Sequence, residues 1–150
     1  MAVFQKVFLG ADHRGFAQKE KLKSLLASQY EVVDCGPSTV DPDDDYNTAA
    51  RAVAVAVSAD KNAAGILICG SSHGMAIQAN RFRKIRAISG FSPELAKLGR
   101  QHNDANILCL GADFVNASSA SQIVENFLTT EFLAEPRLLR RNQILEQEVE

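Results

Sequence analysis

Residues 65–81 read GILICGSSHGMAIQANR. Gly65 to Cys69 has the length and apolar character of a buried strand. Gly70 to Gly74 is a glycine-bounded turn, and the residues beyond it begin an amphipathic helix. The segment delivers a cysteine to the carboxyl end of a strand, beside a helix N-terminus. In that position the helix dipole and the free backbone N–H groups favour the thiolate. The same N–H groups can cradle an anionic oxygen. One short segment therefore offers a base or nucleophile together with an anion hole. A buried strand-end cysteine with a tight turn after it satisfies the same pattern, and spacing alone does not separate the two readings.

Outward from this segment, strands alternate with helices. KVFLGAD (6–12) is an apolar run ending in polar residues, and residues 16–29 have helical spacing, with Phe16, Leu22, Leu25 and Leu26 on a common side. EVVD (31–34) is a second strand and CGPSTVDPDDDY (35–46) a turn-rich, acidic surface loop. NTAARAVAVAVSAD (47–60) alternates Ala and Val, yet its length and alanine content favour a helix packed tightly on a sheet. IRAIS (85–89) is the fourth strand. Ser92 as N-cap and Pro93 at the first helical position open a helix through about Gln101. NILCLG (106–111) is the fifth strand, 118–130 a further helix, and a last charged helix starts at Pro136. This alternation predicts a Rossmann-like α/β fold, a three-layer αβα sandwich around a five-stranded parallel sheet.

Length and composition fit one domain over residues 1–150, with no internal repeat. A chain of this size buries roughly 68–70% of its unfolded surface. The formal charge of −2 gives no case for nucleic acid as a partner. No apolar run approaches membrane-spanning length and the N-terminus lacks a secretory apolar core, so no membrane association and a cytoplasmic location are expected. Cys35, Cys69 and Cys109 are odd in number and widely spaced, which argues against a disulfide framework and against a paired-cysteine zinc site. Cys109 lies in an apolar run and reads as a core residue.

In parallel α/β sheets, ligands bind beyond the carboxyl ends of the strands, near a topological switch point. Polar residues collect there: Asp12-His13-Arg14-Gly15 after strand one, Asp45-Tyr46 before the long helix, and Cys69 through Gly74. His102-Asn103-Asp104 comes just before strand five, at the wrong end of its own strand to join them. It could instead reach the pocket of a second subunit, which hints at a site shared across a homodimer interface.

The segments GADHRGF (10–16), DY (45–46), ICGSSHGMAIQANRF (68–82), IRA (85–87) and RQHNDANIL (100–108), with Arg137 and Arg141, resemble the B-type ribose-5-phosphate isomerases and their galactose- and allose-6-phosphate relatives. The resemblance runs through nearly the whole chain in order. It implies aldose–ketose isomerisation through a cis-enediol, with no metal and no cofactor. A cyclic sugar phosphate must open, a base must carry a proton from C2 to C1, N–H donors must hold the enediolate oxygen, and arginines suit the phosphate. On this resemblance Cys69 is the base. Many relatives use a Glu six positions on, but that position is Met75 here. Ser71 would hydrogen-bond the substrate or the base. Gly70, Ser72 and Gly74 would belong to the anion hole. His102 would open the ring with Asp12 as partner, and Asn103 would hold substrate hydroxyls. His13, Arg137 and Arg141 would contact phosphate, and Tyr46 would line the pocket. The implied assembly is a homodimer or a dimer of dimers, with the helix from about residue 136 packed on a partner subunit.

Each assignment has a plainer counterpart. His102 could cap its helix, Asp12 could cap the helix that follows it, and Arg140 reads as part of a solvated face. Asp41 to Asp45 reads as an exposed acidic loop rather than a metal site. Adjacent Ser71, Ser72 and His73 do not make a hydrolase triad. A protease-like Cys69–His102 dyad is disfavoured, because the surrounding polar groups suit a sugar phosphate. Three departures from the family pattern bear on the substrate: Asp113 where an arginine is common, Leu138 where histidine is frequent, and His73 where a smaller or apolar residue is usual. Asp113 would remove one phosphate contact and add like charge, for which Arg14 or Arg81 could compensate. The departures bear on the substrate more than on the reaction and keep open a six-carbon aldose 6-phosphate. A sugar-phosphate-binding subunit without catalysis is the second reading, against which the presence together of Cys69, Ser71, His102 and Asp12 counts.

Overall fold

The computed structural model describes residues 3–147. Its strands are β1 (Lys6–Ala11), β2 (Glu31–Asp34), β3 (Ala63–Cys69), β4 (Ala87–Ser89) and β5 (Ile107–Gly111). The helices are α1 (Phe16–Leu26), α2 (Tyr46–Ala59), α3 (His73–Ala79), α4 (Pro93–Asn103), α5 (Ala117–Thr129) and α6 (Pro136–Leu145). All strand pairs are parallel, and the sheet order is β2-β1-β3-β5-β4.

That order dictates which face each helix covers. Parallel crossovers are right-handed. The chain steps one way across the sheet from β1 to β2 and from β4 to β5, and the other way from β2 to β3 and from β3 to β4. So α1 and α4 must lie on one face, α2 and α3 on the other. The packing agrees. Leu9, Ile66, Ile68 and Leu108 share a core with Leu22, Ala96 and Ile123, while Leu67, Cys69, Ile107 and Cys109 share one with Ala50, Val53 and Met75. Side chains alternate along β3, so Cys69 faces the α2–α3 layer. Helix α6 stands outside these layers and rests on α4.

The Ala/Val segment is a helix, as its composition indicated. Ala50, Val53, Ala54 and Val57 form its buried stripe. It sits close because Gly65 lies beneath it: a Cβ there would come 2.6 Å from Val53 Cγ1.

Two expectations need correction. Leu25 does not share the inner side of α1; it is 49% exposed and the helix ends at Leu26, not near residue 29. The inner position belongs to Lys19, which is fully buried. Its Nζ donates to Asp34 Oδ1 at 3.0 Å and to the Pro37 carbonyl at 2.8 Å, so the charge is paired and hydrogen-bonded. Burial pushes the Asp34 carboxyl up. The Gly36 N–H and the Lys19 and Lys23 ammoniums outweigh that and hold it below its ordinary value. Strand β4 is also shorter than the apolar run suggested, starting at Ala87.

Candidate active site

The chain leaves β1 towards one edge of the sheet and β3 towards the other, so the switch point lies between them. The β1–α1 turn is drawn onto β3. Asp12 N–H donates to the Ile68 carbonyl at 3.2 Å, and a Cβ at Gly15 would lie 2.3 Å from that same oxygen. Asp12 is buried, and its Oδ1 accepts from the N–H groups of Arg14 at 3.0 Å and Gly15 at 3.1 Å. It thus shapes the entry to α1, the plainer of its two readings.

Cys69 ends β3 opposite Gly111 in the register and is 4% exposed. Ser71 is half-buried and Ser72 fully buried. Ser72 holds a left-handed backbone (φ 73°), which costs a non-glycine residue on the order of 1 kcal/mol. Its hydroxyl lies 2.7 Å from that of Ser89 at the end of β4. Helix α3 starts immediately after, at His73, which is exposed. The Tyr46 ring covers Gly74 so closely that a Cβ there would lie 2.6 Å from the ring Cζ. Asp12, Tyr46 and Cys69 through Gly74 therefore meet at one place. Met75 is fully buried in the Cys69 core, so the position of the alternative base is dry and apolar. Cys109 is buried nearby, and burial pushes its thiol far above the ordinary range.

Two ion pairs frame this turn. His13 N–H donates to Asp44 Oδ1 at 3.1 Å, and the His13 Nδ1 lies 2.7 Å from the same oxygen. Arg14 pairs with Asp113, and a Cβ on Gly70 would lie 3.0 Å from both the guanidinium and the carboxylate. The pair thus lies over the first residue after Cys69, and the carboxylate that replaces the usual arginine is neutralised by Arg14. The His13–Asp44 pair was not legible in the sequence; for the Asp113 charge the sequence offered Arg14 or Arg81, and the structure pairs it with Arg14. Asp44 lay in an acidic run that read as solvated; Asp41, Asp43 and Asp45 are indeed exposed, while Asp44 is half-buried. A hollow of about 410 Å³ opens beside it, between this loop, Ala11 and Thr48.

The remaining candidates lie elsewhere. His102 and Asn103 are exposed at the end of α4. Strand β5 starts after them, with Ile107 paired to Gly65 and Gly111 paired to Cys69. Four residues of strand, about 13 Å, separate those two levels of the sheet. Arg137 and Arg141 are exposed on α6. That helix is anchored by Leu138, its one buried residue among those described, and Asn142 Nδ2 donates to the His102 carbonyl at 3.3 Å. His102 and α6 therefore form a second cluster, apart from the Cys69 turn. A separate groove of about 590 Å³ runs from Asn103 past Arg86 to Arg81. Among the described residues, no group of three or more His, Cys, Asp or Glu is arranged to hold a metal, and no helix is long and apolar enough to cross a membrane.

A doubly wound parallel sheet, with a thiol and a serine-glycine turn at its switch point, defines an α/β protein built to take a small polar ligand at its strand ends. The chain belongs to the ribose/galactose isomerase family, whose pattern matches residues 7–145. It is 37% identical over 141 residues to ribose-5-phosphate isomerase B of Mycolicibacterium paratuberculosis, covering 93% of this chain and 89% of that one. Among solved structures, ribose 5-phosphate isomerase B from Anaplasma phagocytophilum superposes with a TM-score of 0.89 at 39% identity, over 97% of this chain and 99% of that one. The Mycoplasma genitalium ribose-5-phosphate isomerase B with bound ribulose-5-phosphate superposes with a TM-score of 0.90 at 36% identity, over 94% and 93% of the two chains.

Proposed function

We propose that this chain is an aldose–ketose isomerase that interconverts ribose 5-phosphate and ribulose 5-phosphate through a cis-enediol. The observation that carries the reading is the Cys69 turn. A thiol ends the central strand, no carboxylate stands at Met75, and Asp12, Ser71, Ser72 and Tyr46 converge on the same place. The family's relatives named ribose-5-phosphate isomerase B support the substrate.

In this account Cys69 as thiolate takes the C2 proton of the open-chain aldose and returns it at C1. The C2 hydroxyl loses a proton and the C1 oxygen gains one, so the sugar is isomerised with no net change in composition. Ser71 hydrogen-bonds the reacting oxygens or the thiol, and N–H groups between Gly70 and Gly74 hold the enediolate. His102 opens the ring, with Asp12 as partner, and Asn103 holds hydroxyls. His13, Arg137 and Arg141 receive the phosphate, the arginines through paired N–H donors.

His102 and Asn103 precede a strand whose start lies about 13 Å along the sheet from the level of the thiol, and Arg137 and Arg141 stand on the helix that rests against theirs. The reading therefore includes a homodimer, or a dimer of dimers, in which each pocket takes these residues from its neighbour. Exposed Leu139, Ile144 and Leu145 on α6 suit burial against that partner. The chain acts as one domain under this reading. Three free thiols suit a cytoplasmic enzyme.

The test is a metal-free assay of the purified protein on ribose 5-phosphate, allose 6-phosphate and galactose 6-phosphate. Highest kcat/KM on the five-carbon sugar is expected. A preference for a six-carbon sugar would move the substrate, and no turnover of any would replace catalysis with binding.

A further inference from the structure

The acidic loop before α2 does more than cover the sheet. Asp44 reaches across 31 residues of sequence and engages His13 twice through one oxygen, at the backbone N–H and at ring Nδ1. A carboxylate only accepts, so Nδ1 must carry a proton. If the ring is neutral, Nε2 is then an acceptor and repels an anion. Only the imidazolium presents an N–H at Nε2.

We propose that Asp44 is a positioning residue: it fixes the His13 ring through Nδ1 and keeps Nε2 a cationic N–H donor towards the anionic group of the substrate. This rests on the sugar-phosphate reading of the site. The charged groups that bear on the ring are Asp44 from the loop, and Asp12 and Arg14 from its own turn. Arg14 opposes the cation, but Asp113 of the β5–α5 turn pairs with it. The bond to Asp44 raises His13 above its ordinary value and outweighs the opposing desolvation, and the Asp12 and Asp44 charges add to the rise. The imidazolium thus persists further into the neutral range, where a phosphate monoester is largely a dianion.

The test compares wild type, Asp44→Asn and Asp44→Glu as full chains. Histidine ring titrations by NMR, with His13 assigned through His13→Gln, give the apparent pKa without needing turnover. It should fall in Asp44→Asn and recover in Asp44→Glu. KM for ribose 5-phosphate should match wild type well below both His13 values and rise above both, by the factor by which the measured fall in the His13 value reduces the cationic fraction there. The rise should come with little change in kcat. The phosphate's own titration is common to both proteins and cancels in the ratio. Inorganic phosphate is the second probe: it should shift the His13 Nε2 resonance in wild type and bind more weakly to Asp44→Asn at the alkaline end. An unchanged His13 titration in Asp44→Asn, or a KM rise equal at every pH, overturns the proposal. If no sugar phosphate is turned over but the titration and phosphate results hold, the role of Asp44 stands and the isomerase reading fails.

Discussion

The Cys69 turn and the end of α4 are built in opposite ways. Around Cys69, parts from β1, β3, α2 and β5 are locked together. Gly15 sits against Ile68, Tyr46 on Gly74, and Ser72 is buried and bonded to Ser89. Around His102, the polar groups are exposed and α6 is held chiefly by Leu138. The first region is assembled from parts of one chain. The second has the chemistry of a site without its walls. One region is walled in by the fold, whereas the other presents its polar groups to solvent, and the proposed exchange of residues between subunits would bring the two together.

The buried region carries the largest expected effect. Cys69→Ala should lower kcat by about 10²–10⁴-fold with modest change in KM, because the lost interaction is with the moving proton. Near-normal turnover would remove the thiol from the chemistry. A thiol alkylator should inactivate the protein, and substrate should protect it.

The exposed side offers a more selective break. His102→Asn should cost about 10²-fold or more on a cyclising sugar phosphate and spare C2 proton exchange on a substrate that cannot close a ring. Equal loss on both substrates would mean that His102 acts beyond ring opening.

Neighbouring leucines separate folding from association. Leu138→Ala should destabilise the α6 region by about 2–5 kcal/mol in denaturant unfolding, since a core side chain is lost. Leu139 is 42% exposed in the single chain, so Leu139→Ala should leave its stability within about 0.5 kcal/mol and weaken self-association in sedimentation experiments. Equal effects of the two on stability would break the distinction.

The smallest effect is one of pH. The His13 value is raised in the folded chain, so the stabilisation from its pair with Asp44 is fully present below about 6.5 and is lost as pH rises through the raised value. Asp44→Asn should flatten that part of the stability profile; an unchanged profile would show that the pair does not couple to folding.

Much of the fold was legible because its signals are local. The apolar run into Cys69, the Ser92-Pro93 start of α4 and the Ala/Val stripe of α2 are each set by residues close in sequence. Strand order was not, since β5 comes to lie between β3 and β4 only through handed crossovers. Lys19 misled the reading of α1 because a buried lysine depends on Asp34 and Pro37, which spacing along the helix does not reveal. The site divides likewise. Cys69 to Gly74 could be read from one segment, whereas the Asp44–His13 pair spans 31 residues and gave no signal, and the choice between Arg14 and Arg81 for Asp113 was open until the fold brought Arg14 across 99 residues. Leu138, a departure from the family's histidine, proves to be the residue that seats α6.

Mixing Cys69→Ala with His102→Asn subunits tests the central claim most directly. Each variant alone should show only its residual turnover on a cyclising sugar phosphate. In a two-fold dimer with exchanged residues, the heterodimer holds one doubly damaged site and one intact site. Activity should therefore return to about half the wild-type value per heterodimer if the sites act independently. Subunits that demonstrably exchange while activity stays at the level of the separate variants would contradict the account.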